Sequence, residues 1–241
     1  MNPEIKILGK ELKKSYRKQK NQTQEEVFSN LNLSIQTGNF VAIRGPSGCG
    51  KSTLLNLLSA LDTPDSGEVW IDGQEISRFS DRKLAAFRRS HLGFVFQSHL
   101  LIDELTVLEN IILPLRLQGV QTNERKRQGE AMLQRVGLQN KKTEYPHELS
   151  IGQQQRAGIA RALIHRPSLV FADEPTGNLD GDNTTQVMRL FRELQKEHST
   201  TIVMVTHTPH LTCDVDKVLQ FSCVNGKTVL VSEDSSSEAK K

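Results

Sequence analysis

Residues 45–53 read GPSGCGKST, a run of three glycines, a lysine and neighbouring hydroxyl side chains. Glycine lets backbone N–H groups approach a ligand closely and adopt positive φ, so this spacing can form a concave nest of amide donors. In the pattern G-x-x-x-x-G-K-[ST], Gly45 and Gly50 shape the loop. Lys51 then reaches the β- and γ-phosphates, and Ser52 is placed to ligate Mg²⁺. The sequence therefore predicts a site for the phosphates of a nucleotide.

Two adjacent carboxylates follow an apolar run later in the chain. Asp173 and Glu174 come directly after residues 169–172, which read LVFA and predict a buried strand. Such positions lie at the carboxyl edge of a doubly wound sheet, where ligands bind. With a phosphate loop upstream, we expect Asp173 to be the Mg²⁺ partner and Glu174 to orient or deprotonate an attacking water. The alternative interpretation is a charged strand end that enters a loop.

Two further motifs could contact phosphate. His207 ends the run TTIVMVTH and is interpreted as a γ-phosphate contact at the same sheet edge, although a strand-end histidine is usually structural. Ser150 and Gln153 form a capping box at the start of LSIGQQQR. The N–H groups beyond this cap can bind an anion, but capping alone would also explain the motif.

The elements that must position these residues begin with strands. A buried-strand pattern at 40–43 precedes the phosphate loop, and leucines at helical spacing follow it, so the phosphates would face a helix N-terminus. Apolar residues alternate with polar ones over 31–35, and Asp72 with Gly73 predicts a tight hairpin turn. The first third of the chain is therefore expected to be mostly β-structure.

From about residue 98 to 165 the pattern favours helices instead. Thr106 and Glu109 form a capping box, and Pro114 is expected to end or kink the helix that follows. A second helical pattern ends at Gly137, where a C′ glycine belongs. Strands and helices alternate again beyond this segment, which predicts right-handed crossovers and a doubly wound parallel sheet.

These patterns predict a single α/β domain over residues 4–232. Its core is assigned to 4–97 and 160–232, with a helical subdomain inserted at 98–159. The polar end of the chain, 233–241, is expected to be a disordered tail.

The composition limits compartment and partners. Lys and Arg number 31 against 28 Asp and Glu, a formal charge of +3 that is too balanced to indicate a nucleic-acid partner. Cys49, Cys213 and Cys223 show neither metal-ligand spacing nor an even disulfide framework, which suits the reducing cytosol. The sequence contains no apolar stretch of membrane-spanning length and no secretory signal pattern, so we expect any membrane role to come through partner proteins.

The order of these motifs resembles that of the nucleotide-binding subunits of ATP-binding cassette transporters over nearly the whole chain, from about Tyr16 onward. The resemblance implies that GPSGCGKST is the Walker A loop, LSIGQ the family signature, LVFADE the Walker B motif and GNLD the D-loop. It also implies that Tyr16 stacks on adenine, that Gln97 lies in the loop between the core and the helical insert, and that His207 is the switch histidine.

The same resemblance assigns three sets of site residues. The nucleotide set is Tyr16, Gly45, Pro46, Ser47, Gly48, Cys49, Gly50, Lys51, Ser52, Thr53, Ser150, Gly152, Gln153 and Asp180. The catalytic set is Glu174, His207 and Gln97, and the metal set is Ser52, Gln97 and Asp173. The signature departs from the usual LSGGQ, because Ile151 stands at its third position while Ser150 and Gly152 match.

The implied architecture is a P-loop NTPase (RecA-like) core with an N-terminal antiparallel β-subdomain and an inserted α-helical subdomain. ATP and Mg²⁺ are the implied ligands, and ATP hydrolysis is the implied activity. The implied partners are a second copy of the chain across the ATP sites and integral membrane transporter subunits. The implied location is the cytoplasmic face of the inner membrane.

Residues 93–120 resemble the branch of this family that contains the lipoprotein-releasing, macrolide-exporting and cell-division ATPases. Lipoprotein release is the first interpretation, and macrolide or peptide efflux and cell division are the alternatives. A DNA-repair ATPase would carry a long coiled coil or a zinc module between Lys51 and Ser150, and neither heptads nor Cys pairs occur there. The apolar residues of 98–117 are interpreted as a docking surface, the alternative being that they fill the core of the helical insert.

Overall fold

The computed structural model describes residues 4–17, 24–98, 100–177, 179, 181–208, 211, 215–224 and 227–234. The strands are β1 (Ile5–Arg17), β2 (Gln24–Gln36), β3 (Phe40–Arg44), β4 (Ser66–Ile71), β5 (Gln74–Glu75), β6 (Leu92–Val95), β7 (Leu169–Asp173), β8 (Thr201–Thr206), β9 (Lys217–Val224) and β10 (Lys227–Asp234). The helices are α1 (Lys51–Leu58), α2 (Asp81–His91), α3 (Val107–Leu117), α4 (Thr122–Arg135), α5 (Ile151–Leu163) and α6 (Gly181–His198). Short 3₁₀ turns lie at Ile76–Arg78, Gln139–Lys141 and Pro146–Glu148.

The chain folds into two compact units. One contains the described residues of 1–85 and 201–241, and the other contains those of 86–200. The predicted helical segment, 98–159, lies wholly within the second unit.

The first unit contains an antiparallel sheet with the strand order β2-β1-β4-β5. Leu31, Leu33 and Ile35 are buried along β2 while the residues between them are exposed, as the alternating pattern predicts. Asp72 and Gly73 have φ angles of 48° and 72° and join β4 to β5. The predicted strand pattern and hairpin turn are therefore both confirmed.

The first unit also contains a second sheet segment in which β3 lies between β9 and β8 and is parallel to both. The side chains of β8 and those of residues 40–43 in β3 are buried, as expected for parallel strands covered on both faces. The leucines of α1 are buried as well, and α1 packs against β8. This packing fixes the turn from β3 into α1.

The end of the first unit is an antiparallel pair of β9 and β10. Strand β10 includes residues 233 and 234, which the sequence analysis assigned to the tail. The rest of the predicted tail, 235–241, lies outside the described residues.

The second unit combines a parallel pair, β6 and β7, with the helices α3 to α6. Helix α3 packs against α4 and α5, and α5 packs against β6. A Cβ at Gly93 would lie 2.3 Å from the Ala162 carbonyl oxygen, so glycine is what allows β6 to approach the end of α5 so closely. The core of this unit therefore lies around α5 and β7.

The helix ends follow the sequence with one exception. Thr106 and Glu109 form the predicted capping box at the start of α3, and Gly137 takes a φ of 68° just after α4. Pro114 does not end its helix, since α3 continues to Leu117. A proline in a helix interior removes one backbone hydrogen bond, and packing against α4 and α5 keeps α3 continuous here.

Within the part of the chain that the structure describes, no helix combines the length and the apolar character that a membrane crossing requires.

Candidate active site

The phosphate loop connects β3 to α1 in the first unit, as the sequence predicts. Gly50 is the N-cap of α1, with a φ of 94°, a left-handed conformation that glycine adopts without strain. Gly50 itself has no side chain that could accept a hydrogen bond from the first turn of this helix. The N–H groups of that turn can therefore serve an anion, which the helix dipole also favours.

Close packing explains the first glycine of the loop. A Cβ at Gly45 would lie 2.7 Å from the Phe221 Cβ and 2.8 Å from the Phe221 carbonyl oxygen. Phe221 is fully buried in β9, so it has no room to move aside. Any larger residue at position 45 would push the phosphate loop away from the sheet.

The lysine of the phosphate loop is bonded to the backbone of its own loop. Lys51 is only 8% exposed, and its Nζ donates hydrogen bonds to the carbonyl oxygens of Gly45 at 3.0 Å and Pro46 at 2.7 Å. The Cys49 Sγ lies 3.9 Å from the same ammonium. Nucleotide phosphates would offer this ammonium charged acceptors in place of neutral carbonyls, and charge-assisted bonds are about twice as strong as neutral ones.

The remaining residues of the loop are more accessible. The side chains of Pro46, Ser47 and Ser52 are exposed, as is Gly48. Thr53 is half-buried.

Tyr16 lies on β1 with 43% of its surface exposed. Its hydroxyl donates a hydrogen bond of 2.9 Å to Asp62 Oδ2. Burial and, to a lesser extent, the bond to Asp62 raise the pKa of the Tyr16 phenol, which therefore stays protonated and acts as a donor.

His207 comes directly after β8, and its side chain is exposed. Arg44 and Thr206 are partners in the parallel pair of β3 and β8. The residues that follow them, Gly45 and His207, therefore leave the same carboxyl edge of the sheet. This placement agrees with the predicted contact between His207 and phosphate.

The second unit carries the acidic residues. Asp173 ends β7 and is half-buried, and Glu174 follows it with a φ of 47°. A left-handed residue other than glycine is strained by about 1–2 kcal/mol, and such strain is concentrated at functional sites. The bend turns the chain sharply at the carboxyl edge, next to the place where Asp173 ends the strand.

Gln97 lies at this same edge of the second unit. Val95 pairs with Ala172 in the parallel ladder of β6 and β7, so the two strands end together. A Cβ at Gly177 would lie 3.1 Å from Gln97 Nε2, which places the exposed amide directly against that glycine. The structure thus brings the Gln97 loop to the segment that carries the two carboxylates.

The signature segment opens α5. Ser150 is the N-cap, its Oγ accepts a 3.3 Å hydrogen bond from the Gln153 N–H, and Gln153 Oε1 accepts one of 2.9 Å from the Ser150 N–H. The predicted capping box is therefore confirmed. A Cβ at Gly152 would lie 3.0 Å from Asn183 Oδ1, so the second signature glycine allows α5 to approach α6. Ile151 is 54% exposed, so the unusual residue of the motif is directed outward.

Asp180, the predicted D-loop residue, lies outside the described residues. Among those described, no cluster of three or more His, Cys, Asp or Glu side chains could hold a metal ion. The predicted metal set nevertheless fits Mg²⁺, because a hydroxyl of Ser52, an amide of Gln97 and a carboxylate of Asp173 are all oxygen ligands. Mg²⁺ in nucleotide sites usually takes one or two protein ligands together with phosphates and waters.

Some residues that shape the site lie outside the predicted motifs. Asp62 holds the Tyr16 hydroxyl, and Asn183 packs on Gly152. Gly177, the first residue of the predicted D-loop, packs on Gln97. The two partners in each contact lie far apart along the chain, and a single sequence carries no spacing signal for such contacts.

A glycine-rich phosphate loop between a buried strand and a helix, acidic residues after a second buried strand and a separate serine-capped helix together define the ATPase subunit of a cassette transporter. The model of the ABC transporter family matches residues 28–177. The chain belongs to this family, and the predicted P-loop core, antiparallel β-subdomain and helical insert are confirmed. ATP hydrolysis is characteristic of the family, and the chain is one of its ATPases.

Individual relatives are similar over most of their length. The chain is 47% identical over 204 residues to the lipoprotein-releasing system ATP-binding protein LolD of Aquifex aeolicus, which covers 85% of this chain and 90% of that protein. It is 48% identical over 193 residues to an ABC transporter ATP-binding protein of Methanocaldococcus jannaschii, covering 80% of this chain and 86% of the relative. It is 47% identical over 181 residues to the ABC transporter ATP-binding protein YtrE of Bacillus subtilis, covering 75% and 78% of the two chains.

Solved structures agree with this assignment. The chain superposes with a TM-score of 0.86 and 36% identity on the ATP-binding cassette MJ0796, whose structure is a dimer in a post-hydrolysis state bound to ADP and Pi. The superposition covers 95% of this chain and 98% of that one. A second dimeric structure of MJ0796 gives the same TM-score at 37% identity.

Proposed function

We propose that two copies of this chain bind and hydrolyse ATP to drive an integral membrane partner that releases lipoproteins from the inner membrane, at its cytoplasmic face. The observation that carries the lipoprotein assignment is the 47% identity to LolD of Aquifex aeolicus over 85% of this chain. Macrolide or peptide efflux is the second candidate and a cell-division role is the third, because relatives such as YtrE are similar over 75% of the chain and carry only the general description of an ABC transporter ATP-binding protein.

ATP binding is assigned to the phosphate loop and Tyr16. The N–H groups at the start of α1 and the Lys51 ammonium provide the positive potential for the phosphates. The exposed ring of Tyr16 provides a surface on which adenine can stack.

The hydrolytic roles are assigned to the acidic residues and the two flanking polar side chains. Glu174 orients or deprotonates the attacking water, His207 contacts the γ-phosphate, and Gln97, which lies against Gly177 just after the two carboxylates, assists them. Ser52, Gln97 and Asp173 would hold Mg²⁺, which neutralises phosphate charge when bound.

The signature segment is assigned to the ATP of a second copy. The start of α5 is a capped helix N-terminus with an exposed serine, and such an end attracts an anion. A phosphate loop covers only one side of the γ-phosphate, so a second copy that supplies Ser150 would enclose it. Closure would set the α5 dipole against the charge that develops on the phosphoryl group and would exclude bulk water.

The segment between Gln97 and α3 is assigned to the membrane partner. Leu100 is 54% exposed and Ile102 is 38% exposed, an unusual pairing of apolar side chains at a surface. Asn110 is fully buried and bonds the backbone of Ile102 from both of its amide atoms, and Arg161 Nη1 donates a 2.7 Å bond to the Leu100 carbonyl. The apolar side chains are therefore presented on a backbone of fixed shape.

Depletion of this chain from the organism that encodes it tests the proposed cargo. Lipoproteins that belong in the outer membrane should accumulate in the inner membrane fraction, and the wild-type chain should restore their distribution. Lys51→Ala should fail to restore it, because the phosphate loop loses its cation. Lys126→Ala, a change at an exposed lysine of α4, is the matched control and should restore it.

The same depletion distinguishes the alternatives. An unchanged lipoprotein distribution with increased macrolide susceptibility would contradict lipoprotein release and support efflux. An unchanged distribution with filamentous cells would support the cell-division role instead.

A further inference from the structure

The hydroxyl of Tyr16 is held by a carboxylate from a distant part of the first unit. It donates a hydrogen bond of 2.9 Å to Asp62 Oδ2. This bond fixes the direction of the phenol, so the ring does not turn freely although 43% of the residue is exposed.

Asp62 is itself fixed as an anion. Its Oδ1 accepts 2.8 Å from Lys14 Nζ and 2.7 Å from the Thr63 N–H. Burial raises the pKa of the Asp62 carboxyl, but the bonds donated by Lys14, Tyr16 and Thr63 outweigh burial and leave it below its usual value. Both carboxylate oxygens are thus engaged at neutral pH, one by Lys14 and one by Tyr16.

Lys14 supports the ring as well as the carboxylate. It is only 8% exposed, and its Nζ also donates a 2.7 Å bond to the Thr63 carbonyl oxygen. The same ammonium lies over the Tyr16 ring, 5.2 Å from the ring centroid, at a distance where cation and ring attract each other. One side of the ring is therefore backed by a cation that has little freedom to move.

Backbone contacts join this cluster to α1. The Asp62 N–H donates 3.1 Å to the Asn56 carbonyl oxygen in that helix. The Asp65 carboxylate accepts 2.7 Å from the Ser15 N–H, and the Asp65 N–H donates 2.9 Å to the Lys13 carbonyl oxygen. The segment after α1 is thus fastened along β1 beside Tyr16, and α1 begins with the lysine of the phosphate loop.

We propose that Asp62 and Lys14 are positioning residues for nucleotide binding, which hold the Tyr16 ring in place as a preformed surface for the adenine of ATP. The proposal rests on the proposed role of Tyr16 in stacking. A ring that is ordered before binding loses less conformational freedom when the base arrives, so the anchor increases affinity without touching the nucleotide.

Isothermal titration calorimetry of the whole chain compares its affinity for Mg-ATP with its affinity for Mg-bound inorganic triphosphate. The comparison distinguishes the contribution of the base to affinity from that of the phosphates. Tyr16→Ala should weaken ATP binding by about 5- to 150-fold, the range for losing one base–aromatic stack, and leave triphosphate binding unchanged. Tyr16→Phe keeps the ring and removes its hydroxyl, and Asp62→Ala removes the anchor. Each should weaken ATP binding by about 3- to 10-fold, a part of the stacking energy, and leave triphosphate binding unchanged.

A double-mutant cycle tests whether the two changes act through one contact. Tyr16→Phe combined with Asp62→Ala should bind ATP no more weakly than Asp62→Ala alone. Glu26→Gln is the matched control, because Glu26 is an exposed carboxylate of the neighbouring strand that bonds Ser29, and it should leave both affinities unchanged.

The outcomes distinguish the stacking role of Tyr16 from the anchoring role of Asp62. Equal ATP affinity in Tyr16→Ala and the wild type would overturn the stacking role itself. Weaker binding in Tyr16→Ala together with wild-type binding in both Tyr16→Phe and Asp62→Ala would overturn the anchor and leave the stacking role intact. Equal losses of affinity for ATP and for triphosphate in Asp62→Ala would also overturn the anchor. If Asp62→Ala does not fold, the ATP affinity of Tyr16→Phe tests the anchor instead.

Discussion

The Lys51 ammonium and the Cys49 sulfur lie 3.9 Å apart within the phosphate loop. Lys51 is held there by two loop carbonyls, so the sulfur borders the space that the phosphates would enter. A bulky group on Cys49 would therefore compete directly with the nucleotide.

We expect N-ethylmaleimide to inactivate the ATPase by modifying Cys49, and Mg-ATP to protect it by covering the loop. The labelling rate is measured by mass spectrometry in a Cys213→Ser/Cys223→Ser variant, in which Cys49 is the remaining thiol. Activity of Cys49→Ser should be unaffected by the reagent. Labelling of Cys49 at the same rate with and without saturating Mg-ATP would contradict the placement of phosphate over this loop.

Local motifs made some site residues predictable. The phosphate loop and the capping boxes depend on residues a few positions apart, and short-range hydrogen bonding fixes their geometry. The bond from Tyr16 to Asp62 spans 46 positions, and the close approach of Gly45 to Phe221 joins residues that are even farther apart along the chain. Such contacts arise only when the sheets assemble, so no local sequence pattern predicts them.

At the scale of elements, two helices end in different ways. After α4 the left-handed position is Gly137, with a φ of 68°, and this end was predictable because glycine adopts that conformation without strain. After α6 the equivalent position is Ser199, which is exposed and has a φ of 51°. The Thr200 N–H closes this end on the Gln195 carbonyl oxygen.

We expect Ser199→Gly to stabilise the protein. Glycine at this position removes the strain of a left-handed serine, which is about 1–2 kcal/mol. The greater conformational freedom of glycine in the unfolded chain offsets about 0.4–1 kcal/mol of that stabilisation. The net effect on the free energy of unfolding, measured by urea denaturation, should be an increase of about 0.5–1 kcal/mol. Ala131→Gly, at an exposed interior position of α4, is the control and should lower stability by about 1 kcal/mol. A loss of stability in Ser199→Gly would contradict this account of the helix end.

Strand and helix types were predictable from hydrophobic periodicity, because most elements bury one face or both. Pro114 was predicted to end or kink α3, and it does not end the helix, since tertiary packing of α3 against α4 and α5 overrides the intrinsic preference for a break there. Residues 233 and 234 were assigned to the tail because they are polar, and their pairing with β9 makes them part of a strand.

At the scale of the whole molecule, the ordered series of motifs predicted the family, and the similarity to MJ0796 over 95% of this chain confirms it. Each motif alone has a simple structural explanation, and only their order along one chain identifies a cassette ATPase. In the proposed function, this chain generates force from ATP, and the membrane partner recognises the cargo.

In the proposed mechanism, two copies close around two ATP molecules, with each nucleotide between Lys51 of one copy and Ser150 of the other. Glu174→Gln keeps the size of the side chain and removes its basicity, so hydrolysis should fall by about 10²–10⁴, the range for a positioned general base. ATP binding should survive in this variant, and the closed pair should therefore accumulate.

Size-exclusion chromatography with light scattering measures whether this pair forms. We predict that Glu174→Gln is a dimer in saturating Mg-ATP and a monomer without nucleotide. Adding Ser150→Arg should return it to a monomer in Mg-ATP, because the larger side chain blocks the opposing site. A Glu174→Gln protein that binds ATP through Lys51 and yet stays monomeric in saturating Mg-ATP would contradict the account.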